Sequence, residues 1–237
     1  MPPFAYVTLA MLVIWAFLFV VSERTRLEQL AMSALGLILS PTALALVAAD
    51  HRSGSAQASV SPGIAEFVFS AAMFGIAAVA CHLALHAPAA AGHARIAAWR
   101  GARLRIRSAT LSFVAPLLIV AGAWLFVAVA VQLTLAIPPV PALALSGVMM
   151  GLHAVADRKD LLLDALVTGT VIAALVFSVE QVFFVRLFPE AAAAFWSAEN
   201  LSGILLAGIP ISELLWAAVV GFTAGPMYEY VRQRHLA

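Results

Sequence analysis

Seven long apolar runs, each near the thickness of a bilayer, divide this chain and take up about two thirds of it. They are Pro3–Val21, Leu30–Ala49, Phe67–His86, Ala109–Leu133, Pro139–Ala156, Leu161–Val185 and Leu201–Tyr228. A helix of about 20 apolar residues crosses the hydrocarbon core. The fourth and fifth runs form one uncharged stretch, split at Ile137-Pro138-Pro139-Val140-Pro141 because proline removes helix donors. Only 11% of the residues are charged, against roughly 25% in soluble domains. The expected fold class is therefore an all-α integral membrane protein with seven transmembrane helices. The first run has no basic residue before it and no small-residue cleavage site, so it reads as a span and not as a signal peptide.

The charges fix an orientation for that count. Seven spans put Arg24, Arg26, Arg95, Arg100, Arg103, Arg105, Arg107, Arg158, Lys159, Arg232 and Arg234 on one side, and only Arg52 and Arg186 on the other. Lys and Arg collect in cytoplasmic loops, which predicts N-out and C-in. The five arginines between Ala87 and Ser108 are either a plain topology determinant or a contact with anionic headgroups or a partner. Cys81 is the only cysteine, so no intramolecular disulfide, CxxC motif or thiolate metal cluster can form. The net charge of +1 gives no reason to expect nucleic acid as a partner.

A shift of 147 residues aligns Gly63–Ala71 (GIAEFVFSA) with Pro210–Ala218 (PISELLWAA) and superposes Glu66 on Glu213. Upstream, Arg26-x-Glu28-x-Leu30 matches Arg158-x-Asp160-x-Leu162. Spans one to three thus resemble spans five to seven, with the fourth as connector. Equivalent helices cross in the same direction, as in a parallel repeat about an axis along the membrane normal. The expected domains are 1–86 as the first repeat, 87–133 as a basic cytoplasmic loop and connector, and 134–237 as the second repeat.

Ionisable groups inside spans are costly and mark functional sites. Counted along the helices, Glu66, Glu213 and Glu180 fall in the outer part of the membrane, so three carboxyls from three helices converge on one zone. Glu66 and Glu213 are either interhelical hydrogen-bond donors or acids, since a carboxyl kept protonated can act as a general acid. Glu180 either pairs with Gln181 or Arg186 or joins the same zone. Asp164 and Glu229, nearer the cytoplasmic interface, are solvated or pair with Arg158 or Arg232. His82 with His86, and His153 with Asp157, have a spacing that could hold a metal. Neither pair has an evident third or fourth ligand, so hydrogen-bonded packing is the better reading and no metal is expected. Trp196 reads as an interfacial anchor. Trp216 follows Glu213 by three residues and shares its face, and Phe67 and Phe69 flank Glu66. A π face beside an acid suits a developing carbocation.

These residues carry a family resemblance. The chain resembles the membrane-embedded lycopene cyclases, which occur as two short subunits or a fused pair. The resemblance lies in Gly208–Tyr230, with its Pro210, Glu213 and terminal Gly225-Pro226-Met227-Tyr228-Glu229, in Asn200-Leu201-Ser202-Gly203 and in Arg158-Lys159-Asp160-Leu161. The first half matches through Pro62-Gly63-Ile64 and Glu66-Phe67. It implies conversion of linear carotenoid ends into β-ionone rings without net redox change, an isomerase of the intramolecular lyase class needing no cofactor. Glu213 and Glu66 would be catalytic, and Trp216, Phe69, Phe67, Glu180 and Tyr228 would bind the polyene. Pro210, Ser212, Ala65, Glu229, Arg158 and Asp160 would be structural motif positions.

The resemblance further implies a bacterial cytoplasmic membrane, with other carotenoid-pathway membrane enzymes as partners. The family pattern places two acidic residues after Pro-x, and here Ser212 and Ala65 stand at the first of them. In the first half Cys81-His82 also replaces the terminal Tyr-Glu. The alternative is accordingly a catalytically degenerate homologue that binds a polyene or another isoprenoid lipid. No Asp-rich diphosphate site is present, and the only lysine, Lys159, is not placed to form a retinal Schiff base in the last span.

Overall fold

The computed structural model describes residues 3–51, 63–85, 95–190 and 204–234. They are helical throughout apart from turns and one short hairpin. The helices are α1 (Pro3–Val21), α2 (Arg26–His51), α3 (Ile64–Leu85), α4 (Arg95–Leu135), α5 (Pro139–Asp157), α6 (Leu162–Glu180) and α7 (Ile211–Arg234). Among the described residues, four stretches are long and apolar enough to cross a membrane: Phe4–Val21, Ile64–Cys81, Ala115–Leu135 and Lys159–Leu187. Pro141–Asp157 is a shorter apolar helix. Large apolar side chains such as Phe17 on α1 and Phe126 on α4 are 63% and 74% exposed. Facing outward in this way, they suit lipid as the solvent, and the chain is an integral membrane protein.

The helix ends follow local chemistry. Arg26 donates from Nε and Nη2 to the Phe19 and Val20 carbonyls at 2.7 and 3.1 Å, satisfying the C-terminus of α1. The α4–α5 break falls at the proline cluster: Ala136 adopts φ +51°, and Pro139 occupies the first turn of α5. Short 3₁₀ turns, Glu23–Thr25 and Lys159–Leu161, lead into α2 and α6.

Two expectations need correction. The arginine-rich stretch read as a loop to Ser108 is helical from Arg95, continuous with the connector α4. Arginine and alanine are good helix formers, and no proline intervenes there before Pro116. The seventh run is not one helix from Leu201 either. Leu205–Leu206 and Ile209–Pro210 pair as a two-residue hairpin, and α7 begins at Ile211. Ala207 and Gly208 turn the chain with φ of +50° and +89°, and Pro210 cannot donate to a preceding helical turn.

Packing is closest between α6 and α7 and between α2 and α3. A Cβ on Gly221 would stand 2.7 Å from the Thr168 carbonyl oxygen, and one on Gly225 2.7 Å from Thr168 Cβ, so only glycine lets α6 and α7 approach this far. Gly36 lies equally close to the Ser70 carbonyl, and the Ser70 hydroxyl donates to the Gly36 carbonyl at 3.2 Å. Polar bonds tie the outer helices in: Thr8 donates to the Ala65 carbonyl from α1 to α3, and Thr223 to the Gly147 carbonyl from α7 to α5 at 2.7 Å. Helix α3 packs on both α6 and α7 and so joins the two halves of the bundle.

Candidate functional site

Glu66 and Glu213 each lie in the first turn of their helix, α3 and α7, and both are half-buried. A carboxyl there faces the unsatisfied N–H groups of the helix start. The Glu66 side chain folds back toward Gly63, with Oε2 3.0 Å from where a Cβ on that glycine would stand. Glu180 is the last residue of α6 and only 5% exposed. Its Oε2 has no hydrogen-bond partner among the described residues, and it lies within electrostatic reach of Glu213.

Beyond Glu180 the helix widens into a π-turn, Gln181–Leu187, closed by Phe188 N–H donating to the Phe183 carbonyl at 2.9 Å. Such widenings often accompany functional sites. The turn is tied to the hairpin, because Gln181 Nε2 donates to the Ala207 carbonyl and Val185 packs against Gly208. Ile211 N–H in turn donates to the Ile204 carbonyl at 3.0 Å, fixing the start of α7 two residues before Glu213.

Aromatic rings gather at this end of the bundle. Tyr6 of α1 stacks on Phe188 at 5.2 Å and on Phe183 at 6.3 Å, and Phe4 meets Phe69 at 5.3 Å. Trp216 and Phe69 pack partly buried against the core, and Phe67 is half-buried. Pro210 is buried, and the Ser212 Oγ is buried with no hydrogen-bond partner among the described residues. Ala65 contributes its carbonyl to Thr8 at 3.3 Å. Tyr6, Phe183 and Phe188 carry no signal in the sequence, because their meeting depends on the π-turn.

Tyr228 is not brought to this end. It is buried near the other end of α7, about 22 Å from Glu213 at 1.5 Å rise per residue. There Asp164, within electrostatic reach of Cys81, accepts from the Thr168 hydroxyl at 3.1 Å, and Tyr230 meets His153 at 3.4 Å. Arg158 pairs with exposed Asp160 and donates to the Glu229 carbonyl at 3.4 Å, so the motif positions Arg158, Asp160 and Glu229 form one junction between α5, α6 and α7. The bond to Asp160 holds the Arg158 guanidinium above its ordinary range. Among the described residues no group of three His, Cys, Asp or Glu could hold a metal ion. The His82 side chain, His86, Trp196 and Asn200–Gly203 lie outside what the structure describes.

No curated protein and no solved structure gives a significant match to the chain. The family model for lycopene cyclase matches residues 140–231, from the start of α5 through nearly all of α7. That span holds Glu180, Pro210, Ser212, Glu213, Trp216 and the Arg158–Asp160–Glu229 junction. Residues 140–231 are a lycopene cyclase family domain.

Proposed function

We propose that this protein is a carotenoid end-group cyclase of the lycopene β-cyclase kind, working within the bilayer on a hydrophobic polyene. The observation that carries the reading is Glu213 of the lycopene cyclase domain, held at an aromatic-rich end of the bundle within reach of a second buried carboxyl. A carboxylic acid protonates a terminal double bond, the chain closes onto the resulting cation, and loss of a proton leaves the ring. Atoms balance as an isomerisation, so no redox cofactor takes part. Aromatic faces stabilise the intermediate cation, and the scarcity of water protects it from capture. Glu213 is the acid, and Glu66 holds the equivalent first-turn position on α3.

The seven-span, N-out and C-in arrangement with two parallel repeats belongs to the same proposal. It is supported by packing that runs alike in the two halves: α1 and α2 each pack on α3, as α5 and α6 each pack on α7. A bacterial cytoplasmic membrane, with neighbouring carotenoid enzymes, is the expected setting.

Expression in a lycopene-accumulating host tests the reading. Cyclised ends are expected from the wild-type chain, and Glu213→Gln is expected to lower them at least about a hundredfold, the usual scale of a lost general acid. Unchanged lycopene, with the wild-type protein verified in the membrane, overturns it. Ser212 and Ala65 favour a second reading, a homologue that binds a polyene or isoprenoid lipid without converting it. Under that reading the Glu213→Gln protein binds the polyene as well as the wild type, and neither forms rings.

A further inference from the structure

Helices α6 and α7 run antiparallel, and their glycine contacts give the register. Gly225 packs on Thr168, and Gly221 spans the turn from Thr168 to Ile172, so moving back along α7 matches moving forward along α6. Eight residues further, the same register brings Glu213 beside the last turn of α6, which ends at Glu180. Glu213 also lies within electrostatic reach of Glu180, which agrees with this placement. Glu180 is almost wholly buried, and its Oε2 has no hydrogen-bond partner among the described residues. Beside Glu213, the Ser212 hydroxyl is buried and likewise lacks a partner among those residues.

In the first half Gly36 faces Ser70 and Phe74. Followed to Glu66, that register reaches Ser40-Pro41-Thr42-Ala43-Leu44, a stretch without a carboxyl. The two halves differ at this point.

We propose that Glu180 supplies, from the neighbouring helix, the second carboxyl that Ser212 does not, so that Glu180 and Glu213 act as one proton-sharing pair. This rests on the cyclase reading and assigns the base within it. Glu213 in its acid form gives its proton to the terminal double bond of the polyene, and a carbon–carbon bond closes the ring onto the cation. Once that proton has gone, both carboxyls are ionised, and Glu180 takes the proton from the carbon next to the cation. One proton enters the substrate and one leaves, and transfer from Glu180 to Glu213 resets the pair without water or any other co-reactant.

The test uses the full chain in a lycopene-accumulating host with four variants: Glu180→Gln, Glu213→Gln, the double variant, and Glu180→Gln combined with Ser212→Glu. Membrane levels are checked for each. Each single variant is expected to lower ring formation at least about a hundredfold, the double to be no worse than either, and Ser212→Glu to restore part of the loss. Wild-type ring formation in Glu180→Gln, with Glu213→Gln inactive, overturns the pair and leaves the cyclase reading standing. Infrared spectroscopy of the purified chain supplies a readout independent of substrate. The carbonyl-stretch band of a protonated carboxyl is expected in the wild type and lost in both Glu180→Gln and Glu213→Gln. A band unchanged in Glu180→Gln overturns the pair. A band that behaves as expected in a protein that forms no rings supports the pair and removes the cyclase reading.

Discussion

Single residues set how near α6 and α7 can come, and glycine contacts make that quantitative. An alanine at Gly221 would press its Cβ against the Thr168 carbonyl and within 2.9 Å of the Gly169 Cα, and backbone cannot rotate away as a side-chain tip can. Gly221→Ala is therefore expected to cost about 1–3 kcal/mol, the usual scale of overpacking. A Cβ on Gly122 of α4 would meet nothing within 4 Å beyond its own helix, and Gly122→Ala is expected to be neutral or to gain up to about 1 kcal/mol. Denaturation midpoints of the two variants in detergent check this, and equal midpoints would refute the packing argument. The same contacts explain what can be read from the sequence at this scale. Glu213 is legible because a charge inside an apolar run announces itself. Glu180 is visible as a carboxyl in the outer zone, but its level against Glu213 depends on interhelical register, which one-dimensional spacing does not contain.

At the scale of elements, the hairpin is the part the sequence conceals. Leu201–Tyr228 has the apolar length of a span, and hydropathy alone cannot distinguish a short hairpin from another helical turn. The breaking signals are present in Gly208 and Pro210. The hairpin holds the start of α7 through the Ile211–Ile204 bond and meets the π-turn through Gln181 and Ala207. Gly208 has φ +89°, so Gly208→Ala is expected to cost about 1–2 kcal/mol by forcing a side chain into the left-handed region. The loss is local. Hydrogen exchange at the Ile211 amide is expected to speed up, while Ile172 in the middle of α6 keeps its wild-type protection. Equal acceleration at both positions would mean that the hairpin is not an independent clamp. By contrast, the proline break between α4 and α5 is plain in the sequence, because three prolines within four residues leave a helix no way through.

Across the whole molecule, the distribution of basic residues and the packing of the helices make a joint prediction about sides. Arg26 and the Arg158–Asp160 pair stand at one end of the bundle, where α1 meets α2 and α5 meets α6. The hairpin and the Glu180–Glu213 level stand at the other end, where α7 begins and α6 ends. If basic residues mark the cytoplasm, the carboxyl pair lies toward the outer leaflet and Asp160 lies inside. Both test positions are accessible: Leu206 at the hairpin is exposed, and the Asp160 side chain is 62% exposed. The buried Cys81 is the only native thiol, and Cys81→Ser keeps a hydroxyl to meet Asp164. On that background, Leu206→Cys is expected to react with a membrane-impermeant maleimide in intact cells. Asp160→Cys is expected to react only after the membrane is opened. The reverse pattern would invert the orientation. Labelling of both from one side would remove an odd number of crossings between them and with it the seven-span arrangement, because α6 alone separates the two positions.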